Sequence, residues 1–200
     1  MVDPHQVRPN RVPLSGTELR HNAPDRPIPI LLRSPRKALR WYRILRARVQ
    51  TLGRLSYEGN LMLGPQCSLL APDFIRFGRN VSLGARVVVE SNLIVGDDTL
   101  ISSQVAFVSN DHDFSDPAFT VFSGRRLEPS VAVVDGDNLI GFRSLVVGSL
   151  RIGRGAIIGA GSVVTKDVPE YSVCAGVPAR VLRKRFQHEG LDASRHIVKD

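Results

Sequence analysis

The sequence has few of the features that mark several common protein classes. Its 200 residues include only two cysteines, Cys67 and Cys174, which excludes a disulfide framework and favours a reducing compartment, the cytoplasm. No apolar run approaches the roughly 20 residues of a membrane-spanning helix, and residues 1–22 lack the apolar segment of a secretory signal. The sequence also contains no Walker loop, no dinucleotide-binding fingerprint and no zinc-finger spacing of ligands, so none of these motifs indicates its function.

Acidic residues are scarce in the first quarter of the chain. Residues 1–55 contain twelve Lys and Arg but three Asp and Glu, a net charge of +9, which leaves −1 for the remaining residues. Seven prolines in residues 1–35 predict an extended or disordered lead over residues 1–34. Residues 35–55 instead predict a basic amphipathic helix, with Pro35 at its first turn and apolar residues at three- and four-residue spacing, namely Leu39, Tyr42, Leu45, Val49 and Leu52.

Three hypotheses fit this basic helix. It packs on the rest of the protein as a solvated element, or it lies on an anionic membrane surface, or it binds nucleic acid. Nucleic acid is disfavoured because no recognised reading module accompanies the arginines.

The most informative feature of the chain is an apolar residue at every sixth position. The first run is Phe77, Leu83, Val89, Val95, Ile101 and Phe107, and the second is Val134, Ile140, Val146, Ile152, Ile158 and Val164. A second apolar column lies four residues after the first. A fixed short period of this kind predicts a parallel β-helix of hexapeptide repeats over residues 59–180. The glycine that often follows the apolar residue is expected to provide a backbone angle that other residues disfavour.

Two segments depart from the repeat. Residues 113–133 interrupt it and include Phe114, Phe119 and Phe122, which predicts an external loop that packs on its own coil, on a neighbouring subunit or over a substrate. Residues 181–200 predict a short basic C-terminal helix after the last repeat.

The closing repeats carry a family resemblance. The segment from Ile157 to Pro169, followed by Ala175 to Arg180, resembles the end of hexapeptide-repeat acetyltransferases, in particular the galactoside, maltose and nodulation type of O-acetyltransferase and relatives that modify surface polysaccharides. The resemblance covers roughly residues 59–185. It implies a mainly β fold with a left-handed parallel β-helix, and a homotrimer with active sites between subunits. It also implies acetyl-CoA as co-substrate without a metal, and a carbohydrate acceptor.

The resemblance also implies the catalytic residues. His112, directly ahead of the insertion, occupies the position of the family's general base, although Asp113 stands where the family commonly has proline. A positioned base accelerates such a transfer by roughly 10²–10⁴-fold. Asp111 and Asp113 are candidates to support the imidazole, and Asn110 is a candidate to bind the acceptor. The backbone at Gly141 and Phe142 is the candidate oxyanion site.

The residues for CoA follow from the same resemblance. Gly159 and Ala160 are expected along the pantetheine path, and Thr165 and Lys166 near the nucleotide. Arg180 and Arg183 are expected on phosphates, because guanidinium groups suit that task. The sequence therefore predicts an O-acetyltransferase acting on a sugar or polysaccharide precursor. The alternatives are an N-acetyltransferase acting on an amino sugar and a non-catalytic scaffold.

Overall fold

The computed structural model describes residues 33–108, 112–113 and 115–186, which form one helix followed by short strands. Their bounds are α1 (Arg33–Gln50), β1 (Leu55–Tyr57), β2 (Leu61–Leu63), β3 (Ser68–Leu69), β4 (Ile75–Phe77), β5 (Val81–Leu83), β6 (Val88–Val89), β7 (Asn92–Val95), β8 (Leu100–Ile101), β9 (Ala106–Val108), β10 (Val131–Val134), β11 (Leu139–Ile140), β12 (Leu145–Val147), β13 (Leu150–Ile152), β14 (Ile157–Ile158), β15 (Val163–Val164), β16 (Ser172–Gly176) and β17 (Ala179–Lys184). The predicted lead over residues 1–34 lies almost entirely outside the described residues.

The strands form three sheets that the chain visits in turn, and all of their pairs are parallel except that of β16 with β17. Sheet 1 has the order β1-β4-β7-β10-β13, sheet 3 has β15-β12-β9-β6-β3, and sheet 2 has β17-β16-β14-β11-β8-β5-β2. Each coil stacks on the next in register, as in the pairs Phe77 with Val95 and Leu83 with Ile101. All twelve apolar residues of the six-residue repeat are buried in the interior. The predicted fold class, a mainly β parallel β-helix of hexapeptide repeats, is confirmed.

The glycines of the repeat have a different role from the predicted one. Gly84 and Gly141 do not adopt a left-handed backbone conformation. A Cβ at Gly84 would lie 2.4 Å from Ser103 N, and a Cβ at Gly141 would lie 2.5 Å from Ala160 N, both in the backbone of the next coil. Glycine is therefore needed because successive coils approach closely.

The left-handed conformation occurs two residues further along, at the corners. Residues there include Gln66, Asn80, Arg86, Asp98, Gln104 and Arg143, all with φ between 55° and 61°. Among these only Asn and Asp are residue types that tolerate this conformation readily. The corners are consequently positions where most side chains are strained and where Gly155 and Gly161 are free of that strain.

Helix α1 covers the first coil with the side that contains its arginines. Ile44 and Ala47 are buried against the coil. Between and beside them, Arg40 Nε donates to the carbonyl of Leu61 (2.9 Å) and Arg43 Nη1 donates to that of Leu63 (3.1 Å). Strand β2, which contains both carbonyls, is the edge of sheet 2. The arginines thus satisfy backbone groups that an edge strand otherwise exposes.

The other end of the coil corrects the predicted C-terminal helix. Residues Ala179–Lys184 form strand β17, which pairs antiparallel with β16, for example Ala175 with Arg180. Alternating hydrogen bonds to β16 satisfy a strand edge that the last coil leaves open, and this tertiary pairing overrides the helical propensity of a basic segment. Residues 187–200 lie outside the described residues. The interruption also differs in its bounds, since β9 ends at Val108 and β10 begins at Val131.

Candidate active site at two corners of the coil

His112 lies at the root of the long loop that leaves the coil after β9. This position is the corner between sheets 3 and 1, hereafter the 3–1 corner. His112 forms an antiparallel bridge with Arg126, and the N–H of Asp113 donates to the carbonyl of Arg125 at 2.7 Å. The outgoing and returning segments of the loop are therefore paired at its base, which holds the half-buried His112 beside the coil. The partners are 12 to 14 residues apart in sequence, and no local motif signals this pairing.

The predicted supporting residues of His112 have different outcomes. The carboxylate of Asp113 accepts hydrogen bonds from the N–H and the hydroxyl of Ser115, at 2.9 and 2.6 Å. These bonds, assisted by Arg125, hold the pKa of Asp113 below its usual value. The structure thus directs this carboxylate to its own loop. Asn110 and Asp111 lie outside the described residues.

The outer part of the loop exposes apolar side chains. Phe119, Val121 and Leu127 are more than half exposed, and Phe122 is 94% exposed. Phe119 and Phe122 of the predicted loop are therefore mostly exposed rather than buried against the coil of their own chain, and Phe114 lies outside the described residues. A turn closed by Thr120 and Ser123 shapes this outer part, with the N–H of Ser123 donating to the carbonyl of Thr120 at 3.1 Å.

A second group of predicted site residues lies at the corner between sheets 2 and 3, hereafter the 2–3 corner. Gly141 and Gly159 occupy successive coils there, and Ala175 follows one coil later, because β11, β14 and β16 pair in register. A Cβ at Gly159 would lie 2.7 Å from Ala175 Cβ. The space beside Gly159 is therefore filled by Ala175 of the next coil, whereas the small side chain of Ala160 is exposed at the surface.

Hydrogen bonds at the 2–3 corner decide which backbone groups are available. The N–H of Gly141 donates to the carbonyl of Ile158 at 2.8 Å, so it is used within the coil. The carbonyl of Phe142 accepts from the N–H of Gly161 at 2.7 Å, so it is also used within the coil, and Phe142 itself is 45% exposed. Of the predicted oxyanion pair, Gly141 consequently contributes no available donor.

Thr165 and Lys166 are at the same corner as His112. They follow β15, and the register Val164–Val146–Phe107 places them two coils from the strand that leads to His112. Two coil spacings correspond to about 10 Å. Both side chains are exposed.

The two predicted phosphate-binding arginines lie in β17. Arg180 and Arg183 are exposed, and their guanidinium groups donate only to neighbouring carbonyls of the same strand, at 3.0 and 3.1 Å. Arg185, which the sequence analysis did not single out, is instead bound to the carboxylate of Asp137 at 2.8 Å. Arg180 and Arg183 are therefore available to a ligand, whereas Arg185 fastens the terminal strand to the coil.

One chain does not bring its two groups of site residues together. His112, Thr165 and Lys166 are at the 3–1 corner, whereas Phe142, Gly159 and Ala160 are at the 2–3 corner. The seven residues from Phe142 to Gly148 cross sheet 3 between these corners, and their six steps span about 20 Å when extended. Among the described residues, no group of three or more His, Cys, Asp or Glu side chains is placed to hold a metal ion.

Comparisons with known proteins identify relatives by sequence. No protein-family model matches the chain. It is 35% identical over 123 residues to a protein of Escherichia coli named as a lipopolysaccharide biosynthesis O-acetyl transferase, WbbJ, covering 58% of this chain. It is 32% identical over 128 residues, 61% of this chain, to the galactoside O-acetyltransferase of Lactococcus lactis. The match spans 62% of the length of each relative.

Solved structures share the fold. A hexapeptide-repeat acetyltransferase of Vibrio cholerae complexed with acetyl-CoA has a TM-score of 0.57 at 22% identity, covering 77% of this chain and 87% of that chain. AntD, an N-acyltransferase of Bacillus cereus complexed with dTDP and CoA, has a TM-score of 0.59 at 21% identity, covering 68% and 75%. The resemblance predicted from the repeats and the closing motif is confirmed: in sequence and in fold, this chain is similar to hexapeptide-repeat acetyltransferases.

Proposed function

We propose that this protein is an O-acetyltransferase that moves an acetyl group from acetyl-CoA to a hydroxyl of a sugar or polysaccharide precursor. The observation that supports this most directly is the position of His112, fixed at the base of an external loop beside a rigid coil. Two sequence relatives are named for O-acetyl transfer, one of them in lipopolysaccharide biosynthesis. A cytoplasmic location follows from the use of acetyl-CoA.

His112 is the proposed general base. Its imidazole accepts the proton of the acceptor hydroxyl while that oxygen attacks the thioester carbonyl carbon. When the tetrahedral intermediate collapses, the carbon–sulfur bond breaks and the imidazolium returns the proton to the leaving sulfur. The products are the acetyl ester and CoA with a free thiol. The N–H of Phe142 is the proposed donor to the oxyanion, because that of Gly141 already donates within the coil.

The proposed site is shared by two subunits of a homotrimer. His112 and Phe142 lie at different corners of one chain, so a neighbouring copy is needed to bring such groups together. The outward face of sheet 2 supports an interface, since Leu100 and Leu139 stand in register there and are 44% and 36% exposed. Apolar residues in a row on a flat sheet suit contact with another subunit. The exposed Phe119 and Phe122 are then proposed to cover the acceptor or contact that subunit.

The proposed CoA path runs between these corners. Gly159 and Ala160 allow the pantetheine arm to approach the backbone, and Lys166, Arg180 and Arg183 offer exposed positive charge for phosphates. Thr165 is proposed beside the nucleotide.

Replacement of His112 tests the proposal. We expect His112→Ala to lower kcat for acetyl transfer by roughly 10²–10⁴-fold in a free-thiol assay with a panel of sugars. Glu128→Gln, an exposed change in the same loop, is the matched control and should retain full activity. Activity of His112→Ala close to that of the unmodified protein, with oligomeric state unchanged, would remove His112 from the reaction.

An N-acyltransferase is the second candidate. The fold similarity to AntD, an N-acyltransferase, favours it. The same assay with matched pairs of amino and hydroxyl sugars discriminates the two, because an N-acyltransferase consumes acetyl-CoA only with the amine of each pair. If neither kind of acceptor is used and acetyl-CoA does not bind in calorimetry, the coil is a scaffold.

A further inference from the structure

Helix α1 exposes its apolar face. Because its arginine-containing side lies against the first coil, the residues at three- and four-residue spacing on the opposite side face outward. Trp41 is 67% exposed, Leu45 is 62% and Val49 is 67%, and Tyr42 is also exposed. We call this set, Trp41, Tyr42, Leu45 and Val49, the outer row of α1. Four large side chains side by side form an apolar patch of a kind that usually has a partner.

Basic residues border the outer row, and acidic residues are lacking. The helix sequence contains six Arg and one Lys and neither Asp nor Glu. By helical geometry, Lys37 and Arg48 lie along one side of the row and Arg46 along the other. An apolar centre with cationic borders is the pattern of a helix that lies in the plane of a membrane surface. Trp and Tyr, each with an apolar ring and a polar group, are enriched at that depth.

We propose that the outer row of α1 binds the surface of an anionic lipid bilayer. Its apolar side chains lie in the interfacial region, and the basic residues that border the row contact lipid phosphates. This inference goes beyond the proposed function and does not depend on it. The helix rests on the surface, since no helix within the described residues is long and apolar enough to cross a membrane.

Two other occupants fit less well. A second copy of the chain offers little opposite charge, because the net charge outside residues 1–55 is −1. Nucleic acid would attract the arginines but gives no reason for an apolar row between them. The position of α1 also suits a flat partner, since the helix covers the first coil and its outer row faces away from it.

The single tryptophan of the sequence makes the test direct. Trp41 is that residue, so fluorescence of the full chain reports on the outer row alone. We expect a blue shift of its emission on adding phosphatidylcholine vesicles with about 30% phosphatidylglycerol, and a much smaller shift with phosphatidylcholine alone. A blue shift that depends on protein concentration without vesicles would overturn the proposal in favour of a second copy. No shift with anionic vesicles would also overturn it.

Flotation of variants tests which residues bind. Trp41→Ser with Leu45→Ser should weaken binding to the anionic vesicles at least tenfold without changing the melting temperature or the oligomeric state, because both side chains are exposed. Val121→Ser, which removes an apolar side chain that is 62% exposed elsewhere, is the matched control and should bind normally.

A charge-reversal pair completes the test. Lys37→Glu with Arg48→Glu, two exposed positions on one border of the outer row, should weaken binding to anionic vesicles about tenfold or more and leave the weak binding to phosphatidylcholine unchanged. Undiminished flotation of either double variant would show that α1 is not the binding element and would overturn the proposal.

Discussion

The close stacking of coils at glycine gives a sharp prediction for Gly84→Ala. The added Cβ would lie 2.4 Å from Ser103 N, 2.6 Å from Ser103 Oγ and 2.7 Å from Ser103 Cα. Backbone atoms of a strand-paired coil have no alternative rotamer, so the coil itself must shift. Overpacking of this kind costs about 1–3 kcal/mol, and contacts with backbone place Gly84→Ala at the upper end, about 3 kcal/mol.

Gly161→Ala, three coils further along, provides the contrast. No atom lies within 4 Å of its added Cβ, but its φ is +69°, so the change introduces backbone strain without a clash. Such strain costs about 1 kcal/mol. Replacement by Asn distinguishes the clash at position 84 from the backbone strain at position 161. Asn tolerates a left-handed backbone, but its side chain needs as much room as that of Ala or more. Gly161→Asn should therefore be milder than Gly161→Ala, and Gly84→Asn should be as harmful as Gly84→Ala.

Thermal unfolding measures both. For a chain of this size 1 kcal/mol corresponds to roughly 2–4 °C, so we expect the melting temperature to fall by about 6–12 °C for Gly84→Ala and by about 2–4 °C for Gly161→Ala. Equal or reversed effects of the two alanine variants would refute the argument that close approach, rather than backbone angle, fixes glycine at position 84.

Three further predictions concern single charged side chains. Arg43→Met removes the hydrogen bond to the carbonyl of Leu63, and we expect a loss of about 1 kcal/mol in chemical denaturation; an unchanged midpoint would contradict its role at the sheet edge. Asp97 has a lowered pKa because it accepts hydrogen bonds from Arg79, so its stabilisation is present above the unfolded pKa of about 3.9 and lost as pH falls further. The stability difference between the unmodified protein and Asp97→Asn, about 1 kcal/mol or less for this solvent-exposed pair, should therefore begin to shrink near pH 4 and be lost only below the lowered pKa of the folded state, and a difference that stays constant from pH 6 to pH 3 would contradict the prediction. Lys166→Glu should raise the KM for acetyl-CoA with little change in kcat, whereas an unchanged KM would remove Lys166 from the proposed nucleotide site.

The sequence predicts the interior of this protein well because burial enforces the repeat. Each apolar residue of the six-residue pattern, such as Phe107, faces the interior of a coil that repeats with the same geometry. The reason for the glycines is not visible in the same way, because it depends on the distance between coils. The prediction of a C-terminal helix that begins at Val181 is wrong for a related reason. Val181 and its neighbours form a strand only because β16 offers them an edge to pair with.

The candidate site is predicted only in part. Sequence resemblance selects His112, but the pairing of His112 with Arg126 and the bond between Asp113 and Ser115 depend on how the loop closes. The orientation of α1 could not be predicted from the sequence either. The periodicity of the helix defines an apolar and a basic face but does not indicate which face contacts the coil. In the structure, the carbonyls exposed by β2 attract the arginines and so turn the apolar row outward.

The central claim is that His112 of one subunit acts with the 2–3 corner of another, and co-expression of two inactive variants tests it most directly. His112→Ala lacks the base, and Ala160→Trp blocks the proposed pantetheine path with a bulky side chain at an exposed position. With a different affinity tag on each variant, sequential purification isolates trimers that contain both. Each such trimer has one site with an intact His112 and an intact Ala160, so we predict about one third of the unmodified activity. Mixed trimers no more active than the two variants alone would contradict a site shared between subunits.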